Sequence, residues 1–409
     1  MKNFILVSPN YPVFFSHFAK ALKEEGFNVL GIGDTPFNEI TDELKQNLTE
    51  YYYLPNMNNY NEMFKAVAYF SFKYGHIDEL ESNNEFWLKQ DARLRKDFNI
   101  NGVKIQDIEK YKRKDTMKQY YEQAFVPYAQ YTLVENEKNC LDFIARVGYP
   151  VFVKPLEGVG AINSYKIENH NDLLNFLSTK DNEVYILEEY IDGQIVTFDG
   201  IADKNSNVVV YASHEFPYSN ADLVNNKMDG YYYCNCNPET ELIMKGKQTI
   251  KSFGVKKRCF HLEFFRLNVD KPNLGKKGEY VALEVNMRPG GGHVPELFYN
   301  STNIDYYKVY AEIMDEKPVT LDNNRDLFYT MEAIRRKEKS YAYTEHEILE
   351  KYKFNLISNG IYDPLIAEGM GGEFFYIAKF KTLDEAIEFK DYVLKKTDAL
   401  LDNSNVNNI

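Results

Sequence analysis

Three short stretches bring oxygen and nitrogen donors to positions where they could do chemistry. In ALEVNMRPGGG at 282–292, Glu284 and Asn286 are two apart, so on a strand both face one way while Leu283, Val285 and Met287 face the other. A carboxylate and an amide on one face of an apolar strand are costly to bury unless something there takes oxygen ligands. A hard cation such as Mg²⁺ does so. HLEFF at 261–265 places Glu263 on another apolar strand, with His261 on its face. VFVKPLEGVGAIN at 151–163 leads Lys154 out of a buried strand towards Gly158 and Gly160. Glycines let backbone N–H groups approach phosphate oxygens closely, and a lysine adds a point charge. No Gly-Lys-Ser/Thr closes this loop, so it is not a P-loop, and taken alone a β-turn with a surface lysine accounts for it.

Weaker signals lie around these. YKRKDTMKQYYEQ contains Lys112, Arg113, Lys114 and Lys118, a cation run of the kind that forms a solvated helix face, with Lys114 introducing the helix. YILEEYIDGQ at 185–194 reads as a strand ending in Glu188, Glu189 and Tyr190, suited either to a surface hairpin or to a base edge. RRKEK at 335–339 reads as solvated surface, although Arg335 could face a substrate carboxylate. His293 follows the glycines and could reach a substrate, but nothing else in the sequence supports that role.

The elements that must position these residues are legible in outline. NFILVS, a helical pattern from Phe14 to Glu25, Gly26 and then FNVLGIG read as strand, helix, strand, the opening of a parallel α/β domain. Gly31 and Gly33 follow the second strand, so no dinucleotide fingerprint is present. Helix formers dominate 60–120, strands follow from about 147, and GGEFFYIAKF with a helix over 383–396 suggests a small terminal α+β piece. The tail LDNSNVNNI is expected to be disordered.

The chain has 409 residues, enough for two or three domains. Its net charge of -13 argues against nucleic-acid and anionic-membrane binding, which need a positive surface. An anionic ligand therefore requires a local concentration of Lys, Arg and backbone N–H groups. Four cysteines without a CxxC pair read as reduced thiols of a cytoplasmic protein, and no window reaches the apolar length of a membrane span.

Taken in order, Lys114, Lys154 with its glycine loop, Glu188, Glu263, and Glu284 with Asn286 resemble the pattern of the ATP-grasp superfamily, carboxylate–amine ligase branch, over nearly the whole chain. The resemblance implies an α/β (α+β) architecture: an amino-terminal parallel α/β (pre-ATP-grasp) domain and two α+β subdomains gripping the nucleotide. The corresponding division is 1–110, a lid subdomain at 111–190, a catalytic subdomain at 191–320, and a carboxy-terminal piece at 321–409. It implies ATP and Mg²⁺ as cofactors, with two ions and Mn²⁺ as an allowed substitute. The substrates would be a small carboxylate and an amine, amino-acid-like, and a homodimer is left open.

By the same resemblance, Lys114 and Lys154 hold the phosphates, with Lys112 or Lys118 as alternatives to Lys114. The loop of Gly158 and Gly160 is the flap. Glu188, Glu189, Tyr190 and Ile191 form the adenine hinge, with Gln194 or Asp199 at the ribose. Glu263, Glu284 and Asn286 ligate the metal, and Arg288 neutralises the transferred phosphoryl group. The implied reaction is ADP-forming ligation through an acyl phosphate. A kinase-like phosphotransfer and a nucleotide-binding regulatory role are the alternatives. Two features depart from the pattern: Ala161 and Asn163 stand where many members carry serine and glycine.

Overall fold

The computed structural model describes residues 1–158, 163–218, 223–224 and 226–397. Gly160, Ala161 and the tail expected to be disordered lie outside the described residues. The amino-terminal sheet contains β1 (Asn3–Val7), β2 (Asn28–Gly33), β3 (Glu50–Tyr53) and β4 (Glu79–Glu81), all parallel, in the order β3-β2-β1-β4. Every residue of β1 and β2 is buried, as a parallel sheet covered on both faces requires. The helix Ser16–Glu24 joins them and stops where Gly26 takes φ +99°, a backbone conformation that costs glycine least.

β4 is a strand that its sequence, Glu-Leu-Glu, does not announce. Its carboxylates are buried because cations reach them from elsewhere. Glu81 lies 2.6 Å from Arg95 and 2.7 Å from Arg258, and Glu79 pairs with Lys257. Arg258 also donates to the carbonyl of Met287 at 2.9 Å, so this buried cluster ties the amino-terminal sheet to the chain just before Arg288. Around it, Phe4, Leu6, Phe15 and Phe18 share one apolar core with Leu297, Phe298, Val309 and Tyr310.

The next layer is small and antiparallel: β5 (Tyr131–Leu133), β6 (Val151–Pro155), β7 (Tyr165–Ile167) and β8 (Tyr185–Glu189), ordered β5-β8-β6-β7. The helices Glu137–Val147 and His170–Thr179 bury their apolar faces against it. The third sheet is antiparallel and has eight strands: β9 (Gly193–Ala202), β10 (Val208–Phe216), β11 (Tyr231–Asn235), β12 (Arg258–Leu267), β13 (Tyr280–Asn286), β14 (Tyr329–Arg335), β15 (Leu356–Ile361) and β16 (Phe374–Phe380). Their order is β13-β12-β9-β10-β11-β14-β16-β15. The sheet is continuous across residue 320, so β14–β16 extend the same surface that carries β12 and β13. β11 is paired between β10 and β14.

The cation run and the RRKEK run both depart from the solvated faces expected of them. Lys114 and Lys118 are buried, and so are Arg335 and Arg336. Arg335 donates to the carbonyls of Val393 and Tyr343, and Arg336 to those of Met228 and Leu223. Guanidinium groups are weakly hydrated forks and can be buried when carbonyls meet their N–H groups. Glu81→Gln removes the one carboxylate shared by two buried arginines. It should cost on the order of 3–5 kcal/mol, read as a lower midpoint in urea unfolding; an unchanged midpoint would refute the tie.

Candidate functional site

Residues from the small sheet, the large sheet and the helix between the first two layers converge at one place. The helix Lys114–Gln123 carries Lys114 and Lys118 on one face, since residues four apart are neighbours on a helix. Lys114 Nζ lies 3.1 Å from Glu284 and 3.4 Å from the carbonyl of Gly158. Lys118 Nζ lies 2.7 Å from one oxygen of Glu188, and Lys154 Nζ lies 2.8 Å from the other. All three of these latter side chains are buried. Burial alone would raise the Glu188 carboxyl, but the two ammonium groups outweigh it and hold it at about 2. Burial lowers Lys118, whereas Glu188 and Glu284 overcome burial at Lys154 and raise it. Lys118 thus joins Lys154 as a cation facing Glu188. The helical spacing of Lys114 and Lys118 is the signal that identifies it.

The hinge residues divide. Glu188 faces the lysines, whereas Glu189 turns to the other side, accepting the Gln130 N–H at 2.8 Å and lying 3.3 Å from Lys271. Lys271 also donates to the Tyr190 carbonyl at 3.0 Å, and the Tyr190 ring lies under Lys166. The Ile191 side chain is buried in a small core with Ala129, Leu267 and Val281. Gly158 takes φ +144° with open space beside it, and Asn163 takes φ +57°, the left-handed conformation a glycine would adopt. Gly160 lies outside the described residues.

On the large sheet, register brings the remaining residues together. Glu263 of β12 stands directly opposite Glu284 of β13, and His261 stands opposite Asn286. A bulge follows Glu263, which leaves Leu283 half-buried where full burial was expected. Two carboxylates directly opposite each other repel. Here Lys114 neutralises Glu284, while His261 lies 3.3 Å from Glu263 and the Asn286 amide reaches the same Glu263 oxygen at 3.5 Å. Burial favours the neutral acid at Glu263, yet His261, then Arg288 and Lys154, hold its carboxyl below the usual range. Behind it, Asp199 of β9 takes His261 at 2.5 Å and His214 at 2.7 Å. Asp199 is therefore committed to two imidazoles, and Gln194 is bonded to Glu215 and Arg266.

Arg288 points to a partner the sequence did not suggest. Its Nε lies 3.9 Å from Glu85 of the amino-terminal domain, and it donates to the Pro289 carbonyl at 2.8 Å. Glu284 pairs with Lys114. Glu85 also takes Lys112 at 3.2 Å. The three glycines differ as well. A Cβ on Gly290 would strike Val294, and one on Gly292 would strike Met370, whereas Gly291 has open space.

The oxygen donors suit a hard divalent cation. Two part-exposed carboxylates opposed across a ladder, with a carboxamide beside them, form a pocket of negative charge that side-chain cations now balance. Among the described residues, no group of three or more His, Cys, Asp or Glu has metal-binding geometry.

Glu188→Gln leaves two buried ammonium groups without their counter-charge and should destabilise the protein by about 3–5 kcal/mol. The native carboxylate sits below its ordinary value of 4.5, so its stabilisation is complete above that pH and is lost as pH falls towards about 2. Urea midpoints measured across that window should fall steeply in the parent and less steeply in the variant. Equal slopes would assign the acid sensitivity to other carboxylates.

No protein-family model matches the chain. Over 257 residues it is 23% identical to an L-arginine-specific L-amino acid ligase of Bacillus subtilis, and the match spans 60% of each chain. Its structure is similar to that of an L-amino acid ligase from Bacillus licheniformis, with a TM-score of 0.70 and 15% identity, covering 96% of this chain and 98% of that one. A similar likeness, TM-score 0.65 and 16% identity, links it to the biotin carboxylase domain of the Hydrogenobacter thermophilus 2-oxoglutarate carboxylase, in complex with MgADP, ADP and bicarbonate. That likeness covers 94% of this chain and 88% of that one. With its three sheets in this order and its charged side chains gathered between them, the chain has the ATP-grasp fold.

Proposed function

We propose that the chain is an ATP-dependent, ADP-forming carboxylate–amine ligase whose carboxylate substrate is an L-amino acid. The observation that carries this reading is the opposed pair Glu263 and Glu284, with Asn286 beside them and Lys114, Lys118 and Lys154 facing the same space. The L-amino acid ligases among its likenesses support the substrate class.

In this reading Glu263, Glu284 and Asn286 hold Mg²⁺, as one or two ions and with Mn²⁺ able to replace it, and the bound metal offsets negative charge on the phosphates. Lys154 and Lys118, or Lys114, bind phosphate oxygens. The small sheet of 131–189 acts as the lid, with Gly158 at the start of its flap. Residues 188–191 line the base. A substrate carboxylate oxygen accepts the γ-phosphoryl group, giving an acyl phosphate. The amine then attacks that carbonyl carbon, the amide forms and phosphate departs. Arg288, a planar fork with several N–H donors, stabilises charge on the transferred group and on the tetrahedral intermediate. Enclosure between lid and sheet keeps water from the acyl phosphate.

The purified protein, given ATP, Mg²⁺ and pairs from a panel of L-amino acids, should release ADP and phosphate together with a dipeptide. AMP and pyrophosphate would exclude the mechanism, and a stable phosphorylated acid with no amide would select a kinase. Glu284→Ala should abolish turnover and also weaken Mn²⁺ binding, followed by water-proton relaxation. Undiminished Mn²⁺ affinity would remove Glu284 from the metal set.

A further inference from the structure

The turn that leaves β13 carries one more group with the makings of an acid–base catalyst. His293 follows the three glycines and directly precedes the helix Val294–Thr302. Its Nδ1 lies 3.0 Å from an oxygen of Glu332 and 2.9 Å from the Tyr362 hydroxyl, and that hydroxyl donates to the same Glu332 oxygen at 2.5 Å. The backbone N–H of His293 donates to the Tyr232 hydroxyl at 3.1 Å. Tyr362 stacks on the ring at 5.0 Å between centroids, and Phe375 lies against it at 4.4 Å. Glu332, on β14, is wholly buried.

A histidine held only by aromatic packing needs no carboxylate, and a carboxylate without solvent is costly unless it serves a charge. Every side-chain hydrogen bond made by His293 is on Nδ1, its side chain keeps 18% exposure, and Nε2 has no protein partner among the described residues. A carboxylate on one ring nitrogen sets the tautomer and leaves the lone pair on the other. A base oriented by a buried acid is the arrangement that activates nucleophiles on many folds. His293 follows Arg288 by five residues on the same turn, and at Gly292, just before it, a side chain would strike Met370 and crowd the Tyr232 hydroxyl.

Ligation needs such a group. An amino acid presents its nitrogen as an ammonium, which has no lone pair for attack. We infer that His293 is the general base that deprotonates the amine substrate, with Glu332 as its positioning residue. This inference rests on the ligase reading. His293 Nε2 takes one proton from the ammonium, and the nitrogen lone pair then forms the C–N bond. The C–O bond to phosphate breaks, its electron pair leaves with phosphate, and the second nitrogen proton goes to the departing phosphate oxygen. The imidazolium is balanced by Glu332 and loses its proton to solvent before the next turnover. The charged and titratable groups facing it are Glu332, Tyr362, Tyr232 and, further away, Glu296.

Hydroxylamine separates the two halves of the reaction, because it is already neutral at pH 7 and traps acyl phosphates without a base. A panel of L-amino acids is incubated with ATP, Mg²⁺ and either hydroxylamine or a second L-amino acid. His293→Gln should lose on the order of 10²–10⁴-fold in dipeptide formation, while hydroxamate formation and the KM for ATP stay within about threefold. Glu332→Gln should show the same selectivity with a smaller loss. Should His293→Gln fail to fold, His293→Asn is read in the same two assays. Equal loss of dipeptide and hydroxamate, or no loss of either, overturns the assignment. A parent protein that makes no hydroxamate and no ADP overturns the ligase reading itself, and the base assignment with it.

Discussion

The site depends on one constraint: the register that sets Glu263 of β12 opposite Glu284 of β13. Two carboxylates at directly opposed ladder positions repel, and nothing in strand propensity favours placing them there. Their coexistence requires positive charge close by. Lys114 comes from a helix, His261 from the same strand, and Lys154 from a different sheet. The need to neutralise this pair therefore draws the layers together. The same charge holds Lys114 and Lys154 in place.

A second electrostatic layer supports the first. Glu188 holds two lysines that would repel each other, and Asp199 holds two histidines behind Glu263. Paired in this way, the buried charges are specific about geometry, since moving either partner leaves an uncompensated ion. The amino-terminal domain adds a third contact through Glu81, Arg258 and the Met287 carbonyl, and a fourth through Glu85 and Arg288. Its parallel sheet thereby reaches the turn where the chemistry is proposed, although none of its own residues resembles a catalytic motif.

Much of this was legible because function here lives in residue order along the chain. VKPLEGVG, HLEFF and ALEVNMRPGGG each name a strand and the polar residue it presents, and strand periodicity gives the face. The opening strand–helix–strand was legible for the same reason, with Gly26 as its stop. Other residues misled. Lys114 and Lys118 read as a solvated face, and Arg335 and Arg336 as surface, because composition cannot say whether an acid or a carbonyl waits at the other end of a long cationic side chain. The Glu-Leu-Glu of β4 reads as polar chain for the converse reason.

The sequence by itself determined which residues offer oxygen donors and cations, and which strands carry them, since periodicity and side-chain chemistry are local properties. Tertiary structure decided the pairings: Glu284 with Lys114, Arg288 with Glu85, Lys118 with Glu188, and His293 with Glu332. It also decided that two of the three glycines yield space to Val294 and Met370, leaving only Gly291 open. These outcomes depend on which distant segments the sheets bring within a few ångströms. Ion pairs and packing fall off over that same distance, so no window of sequence contains them.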